Sequence, residues 1–442
     1  MKSSREVAFQ ILLEFENTKE RLEKLIAINL QKHKISARER KLVYNLSFGV
    51  VRHLSLLDWK SSKFFRGNYK KALNKFKIIL RLAIYEIDFL KHIPPHATVN
   101  EYVKLAKRRL QQQAAPKING ILRNYLREGR GLSPLKKFKY IETQLALEYS
   151  FPEWLIKRWL SLWGENETRE LCHAFNERPL FDLRINTKKI SKQEFLQILQ
   201  RNGIVYEKSR YYDRIIKVID IQKIDKLKLF EKGLCSVQDE SALLVIDLLN
   251  LQEGETILDA CAAPGGKYTA LLENAAIKIH LTGMDIDNGR LRLLRLNCIR
   301  LGFTEYVLVQ GDAFRPPFRQ KFDKILIDAP CSGLGTIQKN PDIKWRRSYE
   351  SLFEFQNLQL NLLESLSKLV LPGGELIYST CTIDPAENEE VVQKFLKNQG
   401  GRFEIAPPAK KLPDFISEGK YIRTFPHIHK MDGSFAARVK CY

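Results

Sequence analysis

Two cysteines stand at the ends of apolar segments that are typical of buried strands. Cys331 follows FDKILIDA, residues 322–329, and Cys381 ends ELIYSTC, residues 375–381. A thiolate is strongly nucleophilic near neutral pH and can also depart again. This reactivity suits carbon 5 of a cytosine, which is a poor nucleophile until another group adds to carbon 6, and whose proton a base must later remove. The spacing of the two cysteines does not show which one attacks.

The other cysteines indicate neither a metal site nor a disulfide framework. The sequence holds seven cysteines without a CxxC pair or a secreted-scaffold spacing. Pro330-Cys331 matches the first half of the PCxxC signature of zinc-dependent deaminases, but Leu334 occupies the place of the second cysteine. We therefore predict no metal, and we expect four cysteines to be buried and inert: Cys172, Cys235, Cys298 and Cys441.

A turn of small residues, CAAPGGK at 261–267, follows another predicted strand. Small side chains let backbone N–H groups approach a ligand near a helix N-terminus. Acids end the next strands, where open α/β sheets bind their ligands. The predicted cofactor-binding residues are Cys261, Ala262, Ala263, Pro264, Gly265, Gly266, Lys267, Asp285, Asp312 and Asp328.

This turn matches neither of two common nucleotide-binding motifs. A P-loop requires glycine five positions before Gly266, where the chain has Cys261, and a GxGxxG motif is also absent from the sequence. ATP and nicotinamide dinucleotides are therefore disfavoured. A cofactor with an adenosine end and no polyphosphate fits better, and we predict S-adenosyl-L-methionine.

Strands and helices alternate from residue 236 onward, which predicts a parallel sheet covered by helices. Such a sheet would bring the small-residue turn, the acids and both cysteines to one edge. Residues 236–442 are therefore predicted to form a Rossmann-like α/β domain of the class I methyltransferase type. The expected strands are 256–262, 279–286, 306–312, 322–329, 375–381 and, at an outer edge, 434–440.

The earlier part of the chain has a different pattern. Apolar residues recur at the helical period through residues 1–140, which predicts an all-α domain. Capping-box spacing marks the heads of two of its helices, with Ser36 before Glu39 and Thr98 before Glu101. Residues 141–235 mix helical and strand patterns, which predicts a small α+β linking domain with a strand at 181–185.

The positive charge of the chain is concentrated at its front. The formal net charge is +22, and residues 1–150 contain 31 Lys and Arg against 13 Asp and Glu. A basic domain attached to a catalytic one indicates a polyanionic partner, usually nucleic acid. Because the sequence shows no signal-type apolar block and no run that could span a bilayer, we predict a monomeric cytoplasmic protein that binds RNA and no membrane.

Together these motifs resemble the RsmB-type (Sun/Fmu) family of small-subunit rRNA cytosine-C5 methyltransferases. The resemblance lies in DACAAPGGK, DAPCSG, NPDIKWRR, YSTCT and MDGSFAARVK, and in a front segment similar to a NusB-like RNA-binding domain, with IPPHATVNEYVKLAKR and APKINGILRNYL. It implies a 16S rRNA methyltransferase that uses S-adenosyl-L-methionine. It also implies that Cys381 is the nucleophile, that Cys331 assists product release, and that Asp328 and Lys267 steady the cytosine ring.

Two basic features allow both a functional and a structural interpretation. In PDIKWRR, residues 341–347, the cations beside Trp345 favour contact with RNA, although the tryptophan would also suit an anchored loop. Arg184, on the strand predicted at 181–185, is in reach of a phosphate in one interpretation, but an exposed strand residue is the simpler expectation.

Two alternative functions stay open at this point. The substrate could be transfer RNA, since only analogy with the front domain favours rRNA. The chain could also be a non-catalytic RNA-binding ribosome assembly factor, although the complete cysteine motifs and the complete small-residue turn argue against a vestigial domain.

Overall fold

The structure is a computed structural model that describes residues 2–33, 35–110, 113–134, 138–219, 221–273, 277–408, 412 and 419–442. Its tertiary contacts divide the chain into two compact units. The helical unit comprises Met1–Asn176 and Lys339–Ser348, and the sheet unit comprises Glu177–Gln338 and Tyr349–Tyr442. The three-part division with bounds at 140 and 235 stays a prediction. Among the described residues, no helix has the length and apolarity needed to cross a membrane.

The helical unit is all-α, as its apolar periodicity predicts. The first helix buries one face that includes Val7, Ile11 and Phe15, and the surrounding helices pack against it around one core. The helices are α1 (Ser4–Asn17), α2 (Leu22–Lys32), α3 (Ala37–Arg52), α4 (Leu54–Phe64), α5 (Asn74–Phe89), α6 (Pro95–Arg109), α7 (Ala114–Asn124), α8 (Ile141–Glu148) and α9 (Glu153–Asn176).

One of the two predicted helix starts is confirmed and the other is wrong. Ser36 caps α3 in a complete capping box with Glu39. Thr98 instead lies inside α6, where its buried hydroxyl donates to Glu86 at 2.7 Å. Helix α6 begins at Pro95, because proline has the helical φ already and needs no partner for a missing N–H. Capping-box spacing alone did not separate these two cases.

A segment that follows Cys331 in the sequence is buried in the helical unit. It contains the short helix α15 (Ile343–Arg346). Lys344 is fully buried, donates to the carbonyl of Arg52 at 2.8 Å and lies 3.9 Å from the ring centre of Phe151. Trp345 donates to the carbonyl of Val51 at 2.7 Å. The favoured interpretation of PDIKWRR as an RNA contact is therefore wrong for Lys344, whose buried side chain anchors the segment. For Trp345, which is half-buried, it stays a prediction.

The sheet unit contains a small antiparallel sheet with strand order β2-β3-β1-β4. The strand predicted at 181–185 is confirmed as β1. Alternation is weak here because β1 and β3 are buried on both faces. The elements are β1 (Phe181–Ile185), α10 (Lys192–Arg201), β2 (Tyr206–Lys208), β3 (Ile215–Val218), α11 (Ile221–Lys226) and β4 (Cys235–Val237).

The main sheet confirms the predicted Rossmann-like α/β fold. Its order is β10-β12-β9-β8-β5-β6-β7, and the five strands from β9 to β7 are parallel. The eight strands of the whole sheet are β5 (Thr256–Asp259), β6 (His280–Asp285), β7 (Val307–Gln310), β8 (Phe322–Asp328), β9 (Val370–Thr380), β10 (Phe403–Ala406), β11 (Tyr421–Thr424) and β12 (Ser434–Cys441).

The strand predicted at an outer edge, 434–440, is wrong in its position. Strand β12 pairs with β9 on one side and with the short strands β10 and β11 on the other. Strands β10 and β11 have only four residues each, which is too short for a clear sequence pattern. The sequence therefore did not show that other strands would cover the outer side of β12. The helices of this unit that follow are α12 (Ser241–Leu248), α13 (Gly266–Glu273), α14 (Asn288–Leu301), α16 (Tyr349–Leu366), α17 (Glu389–Asn398) and α18 (Pro426–His429).

Candidate active site

The sheet brings Cys331 and Cys381 together at the carboxyl ends of β8 and β9. These strands pair in parallel with Asp328 opposite Ser379. The two sulfur atoms are 3.1 Å apart, and the backbone N–H of Cys381 donates to Cys331 Sγ at 3.4 Å. Cys381 is exposed, whereas Cys331 is half-buried. Of the two, Cys381 therefore presents the sulfur that a substrate can reach from solvent.

The environment of Cys331 keeps its thiol protonated. The hydrogen bond to Cys381 is the main cause that raises the pKa of Cys331 well above its usual value, and burial and the negative charges of Cys381 and Glu387 add to it. Because a thiol is a weak nucleophile compared with a thiolate, Cys331 is the poorer attacking group of the pair.

A lysine and an aspartate lie beside the cysteines. Lys267 Nζ is 2.8 Å from Asp328 Oδ1, which also accepts a hydrogen bond from Ser379 at 3.0 Å. Burial lowers the pKa of Lys267, but the charge and hydrogen bond of Asp328 outweigh it, so this pKa is raised and the amine stays charged. The carboxylate of Asp328 remains about one-third exposed. Both predicted catalytic side chains therefore lie at the edge that carries the cysteines.

The cofactor turn, residues 261–267, is tied to the end of β6. The N–H of Ala262 donates to the carbonyl of Met284 at 2.9 Å, and that of Ala263 donates to Asp285 Oδ2 at 3.2 Å. Asp285 is buried and holds this turn at its own strand end. Asp312 follows β7, and its Oδ1 accepts from the N–H of Phe314 at 2.9 Å. The predicted acids thus form a row beside the turn.

Side chains from outside the cofactor turn bind three of its carbonyl oxygens. Asn297 on α14 donates to Pro264 at 3.1 Å, Arg290 on the same helix donates to Ala263, and Arg184 on β1 donates to Gly266 at 2.9 Å. These bonds occupy the carbonyl side of the turn. Together with the acceptors on the N–H groups of Ala262 and Ala263, they fix the backbone of the turn.

Arg184 is fully buried, which corrects the expectation of an exposed strand residue. Its guanidinium donates to Thr269 Oγ1 and to Glu273 Oε1, both at 2.9 Å. A charge can be buried only when it is paired and hydrogen-bonded. The partner carboxylate of Glu273 lies 89 residues away in the sequence, so no local sequence pattern indicated that Arg184 would be paired and buried.

Gly265 meets two requirements of the cofactor turn. Its φ of +104° lies in the region that favours glycine. A Cβ atom at this position would also stand 2.1 Å from Leu294 Cδ1, because α14 packs directly against the turn. A side chain at position 265 would therefore displace either the turn or the helix.

The charges around the turn fit a cationic, adenosine-containing cofactor. Asp259, Asp285 and Asp328 surround a region whose lysine, Lys267, is already paired. Burial and then the charge of Asp328 raise the pKa of Asp259, Lys267 opposes them, and the resulting pKa is about 8. Acids suit ribose hydroxyls and a positively charged sulfonium or ammonium group, whereas a polyphosphate would need free cations. Residues 261–267 with Asp285, Asp312 and Asp328 can hold S-adenosyl-L-methionine.

Sequence reasoning missed two acids of this region. Asp259 is buried at the end of β5, and Glu387 is buried behind Cys331. Asp259 opens the DACAAPGGK motif, and Glu387 lies in the acidic run ENEE that follows Cys381. Proximity to those motifs was the available signal, but burial of an acid is not visible in the sequence.

A separate groove of about 440 Å³ lies between α14 and the edge strand β7. None of the predicted site residues lines it, and it contains neither cysteine. The groove is lined by Asn288, Leu291, Arg292, Arg295, Leu296, Leu308 and Gln310.

Comparison with known proteins decides the family. Residues 246–440 match the model of the 16S rRNA methyltransferase RsmB/F family. Residues 2–127 match the NusB family, and residues 151–225 match the ferredoxin-like domain of RsmF/B-like methyltransferases. A probable ribosomal RNA small subunit methyltransferase B from Synechocystis is 35% identical, with all of both chains covered. The chain belongs to the RsmB/F family.

Further relatives agree with this membership. A probable ribosomal RNA small subunit methyltransferase B from Bacillus subtilis is 32% identical over 99% of this chain and 98% of its own. The crystal structure of PH0851 is 27% identical and superposes with a TM-score of 0.81, covering 99% of this chain and 98% of its own. The methyltransferase homologue from Pyrococcus horikoshii is 28% identical with a TM-score of 0.59 and covers 69% of this chain and all of its own.

Membership confirms several expectations. The protein is an RNA methyltransferase of the RsmB/F family whose methyl donor is S-adenosyl-L-methionine, and it carries a NusB-type helical domain before a Rossmann-like catalytic fold.

Proposed function

We propose that this protein methylates carbon 5 of a cytosine in small-subunit rRNA, with Cys381 as the nucleophile and Cys331 assisting release. The supporting observation is the pair of sulfur atoms 3.1 Å apart at the ends of two neighbouring parallel strands. Methyl transfer to an oxygen or to an exocyclic nitrogen needs no thiol. Transfer to carbon 5 needs one, because that carbon must first be activated by addition at carbon 6.

The first half of the reaction belongs to the exposed sulfur. Cys381 Sγ forms a bond to carbon 6, and the electron pair of the C5–C6 double bond becomes available at carbon 5. Bound S-adenosyl-L-methionine supplies an electrophilic methyl group. Lys267 and Asp328 steady the ring beside the sulfur and stabilise the charge that develops in the adduct. Lys267 Nζ and Asp328 Oδ1 are 2.8 Å apart, and Asp328 ends β8, the strand that pairs with β9 before Cys381.

The second half releases the product. The proton on carbon 5 passes to a base, for which the carboxylate of Asp328 is the candidate, because the Cys331 thiol keeps its own proton. The electron pair of the broken C–H bond restores the C5–C6 double bond, and the C6–S bond breaks with its pair returning to Cys381. Cys331 assists this step because its sulfur is in contact with the departing one.

The cofactor is held by the turn at 261–267 and the adjacent acids. Asp285 is assigned to the ribose hydroxyls, since it ends β6 next to the turn. Asp312 and Asp328 complete the cofactor site. The small residues from Cys261 to Gly266 let the backbone approach the ligand.

The RNA substrate is inferred from the relatives and from charge. Full-length relatives carry the name ribosomal RNA small subunit methyltransferase B, which favours rRNA over transfer RNA. Residues 1–150 carry 31 Lys and Arg against 13 Asp and Glu, so phosphate contacts there would lose affinity as salt rises. We assign residues 1–140 and 141–235 to RNA binding, residues 236–442 to catalysis, and expect a cytoplasmic monomer.

The test compares three RNA substrates for the purified full-length chain. Naked 16S rRNA, small ribosomal subunits and total transfer RNA are incubated with S-adenosyl-L-methionine, and 5-methylcytosine is mapped by bisulfite sequencing. A single modified cytosine in 16S rRNA, missing from cells that lack the protein, is the expected result. Modification of transfer RNA alone would move the enzyme to the other substrate class. Cofactor binding without methylation of any of the three would favour a non-catalytic assembly factor.

A further inference from the structure

The turns that follow β8 and β9 are tied to each other beside the cysteines. We call residues 330–336 the Cys331 turn and residues 381–388 the Cys381 turn. Ser332 donates to Thr382 Oγ1 at 3.0 Å, so the residues that follow the two cysteines are joined. The N–H of Gly335 donates to the carbonyl of Cys381 at 3.1 Å. Backbone and hydroxyl contacts therefore join the two turns, in addition to the contacts of the sulfur atoms themselves.

Glu387 and Gln359 bind the peptide groups on both sides of Cys331. Glu387 Oε2 accepts a hydrogen bond from the N–H of Ser332 at 2.8 Å. Gln359 on α16 donates to the carbonyl of Pro330 and to Glu387 Oε2, both at 3.0 Å. One carboxylate and one amide thus hold the residue before Cys331 and the residue after it. We call this pair the Glu387–Gln359 clamp.

Burying the polar groups of the clamp is unfavourable for the free energy of folding. Both side chains are fully buried, and Glu387 Oε1 receives no hydrogen bond from the described residues. Burial raises the pKa of Glu387 as a consequence. A protein with well-packed apolar residues at such positions is commonly as stable as, or more stable than, one with a buried charge there. Since β8 and β9 are already paired along six residues each, the sheet does not need this carboxylate to form.

The segment that carries Glu387 is itself held firmly. Tyr378 donates to the carbonyl of Glu387 at 2.5 Å, and Asn388 donates to the carbonyl of Thr382 at 3.1 Å. Asp384 accepts from the N–H of Ala386 at 2.9 Å. The clamp therefore connects the Cys331 turn to a rigid part of the Cys381 turn. A shift of Glu387 would be passed directly to the backbone of Cys331.

We propose that Glu387, together with Gln359, is a positioning residue that holds Cys331 against the sulfur of Cys381 for the release of methylated RNA. The proposal rests on the function proposed above, because it assumes that Cys381 carries the substrate. Glu387 does not touch the reacting atoms. It acts through the two peptide groups that flank Cys331.

The test follows turnover and the covalent protein–RNA adduct in parallel. Glu387→Ala, Glu387→Gln and Gln359→Met are compared with wild type and with Cys331→Ser on 16S rRNA. The adduct is measured as protein that runs with RNA on a denaturing gel, and cofactor affinity is measured by calorimetry. Glu390→Gln is the control, because Glu390 accepts from Gln356 at 3.0 Å and touches neither peptide group of the clamp.

Loss of the clamp should slow release more than attack. In Glu387→Ala we expect turnover to fall about 10- to 100-fold, since a displacement near 1 Å has such effects on catalysis. The adduct should rise towards the level of Cys331→Ser, with cofactor affinity unchanged. Glu387→Gln should recover most of the rate, because its amide oxygen can still accept from Ser332. Gln359→Met should show a smaller change in the same direction, and it decides the result if Glu387→Ala does not fold.

Three outcomes would overturn different statements. If Cys331→Ser accumulates adduct while Glu387→Ala and Gln359→Met turn over and release like wild type, the clamp has no positioning role. If Cys331→Ser itself forms no adduct, the assigned roles of the cysteines fail and the clamp proposal fails with them. A fall in turnover that Glu387→Gln does not relieve, without added adduct, would make Glu387 merely structural.

Discussion

The cofactor turn and the two cysteine turns lie at one edge of the same sheet but are held in different ways. Three donors from β1 and α14 bind the carbonyl groups of the cofactor turn. The cysteine turns are held mainly by each other, through Ser332 with Thr382, and by the Glu387–Gln359 clamp. The first region is fixed from outside, and the second is fixed within itself.

This difference follows from what each region has to do. The cofactor enters and leaves, so its turn must keep one shape, which donors on its carbonyl groups and acceptors on the N–H groups of Ala262 and Ala263 maintain. The cysteines form and break a bond to substrate, so most of their supports act on the backbone around the sulfur atoms. Variants in the two regions should therefore have different effects. Changes at the cysteines should lower turnover, and changes behind the cofactor turn should weaken cofactor binding.

The largest effect is expected for Cys381→Ser. Serine is a far weaker nucleophile at neutral pH, so turnover should fall by at least about a thousandfold and no adduct should form. Methyl transfer from labelled cofactor to 16S rRNA measures this, while calorimetry should give wild-type cofactor affinity. Retained turnover would remove Cys381 from the role of nucleophile.

Cys331→Ser should have the next largest effect, with turnover reduced by about a hundredfold and a different stage of the reaction blocked. Attack by Cys381 remains possible, so a protein–RNA adduct should survive denaturing electrophoresis. The double variant with Cys381→Ser is the control and should give none. Free product release by Cys331→Ser would assign the release step to another group, with Asp328 the first to consider.

Arg184→Lys should weaken cofactor binding without changing the cysteine chemistry. Lysine cannot bind Gly266, Thr269 and Glu273 together, so the turn loses its support from β1. We expect the Kd for S-adenosyl-L-methionine to rise about tenfold, or about 1.4 kcal/mol, with kcat at saturating cofactor near wild type. Lys188→Met is the control, because Lys188 is exposed and binds the carbonyl of Leu272 instead. Equal loss of kcat and affinity would show that the two regions are not separable.

Asp259→Asn should have the smallest effect on turnover but a clear effect on stability. The unfolded carboxyl group titrates near pH 4, whereas the folded one keeps its proton until about pH 8. Between these values the native state binds more protons, so the wild-type free energy of unfolding falls by up to about 1.4 kcal/mol per pH unit. Asparagine removes this slope.

Scanning calorimetry at pH 5.5, 6.5 and 7.5 measures the effect of Asp259→Asn. The advantage of the variant in transition temperature should grow as the pH rises. Parallel curves at the three values would mean that Asp259 is ionised in the folded protein. The carboxyl group would then belong with Asp285 and Asp328 as a charged part of the cofactor site.

Local patterns predicted much of this molecule correctly. The five parallel strands, the strand at 181–185 and the apolar face of α1 follow from periodicity, because burial on one or two faces leaves a regular trace. The turn at 261–267 and both cysteines were found by composition at strand ends. The same reasoning failed for Thr98, which has capping-box spacing but lies inside α6.

Buried polar side chains account for three further misses. Arg184 was expected on the surface, Lys344 was expected to contact RNA, and Glu387 was not considered at all. All three are fully buried. Each has its partners on elements distant in the sequence: Arg184 on α13, Lys344 at the end of α3, and Glu387 on α16 and in the Cys331 turn.

The sequence by itself determined most of the helices and strands and their order along the chain. It also determined the family and the residue types available for chemistry. Periodicity and motif chemistry are properties of neighbouring residues, so they can be recognised before folding. Only the tertiary structure decided which charged groups are buried, which peptide groups they hold, and that the exposed sulfur is the one at position 381. The reason is that the free energy of a buried charge depends on partners brought near by folding, and these partners can be anywhere along the chain.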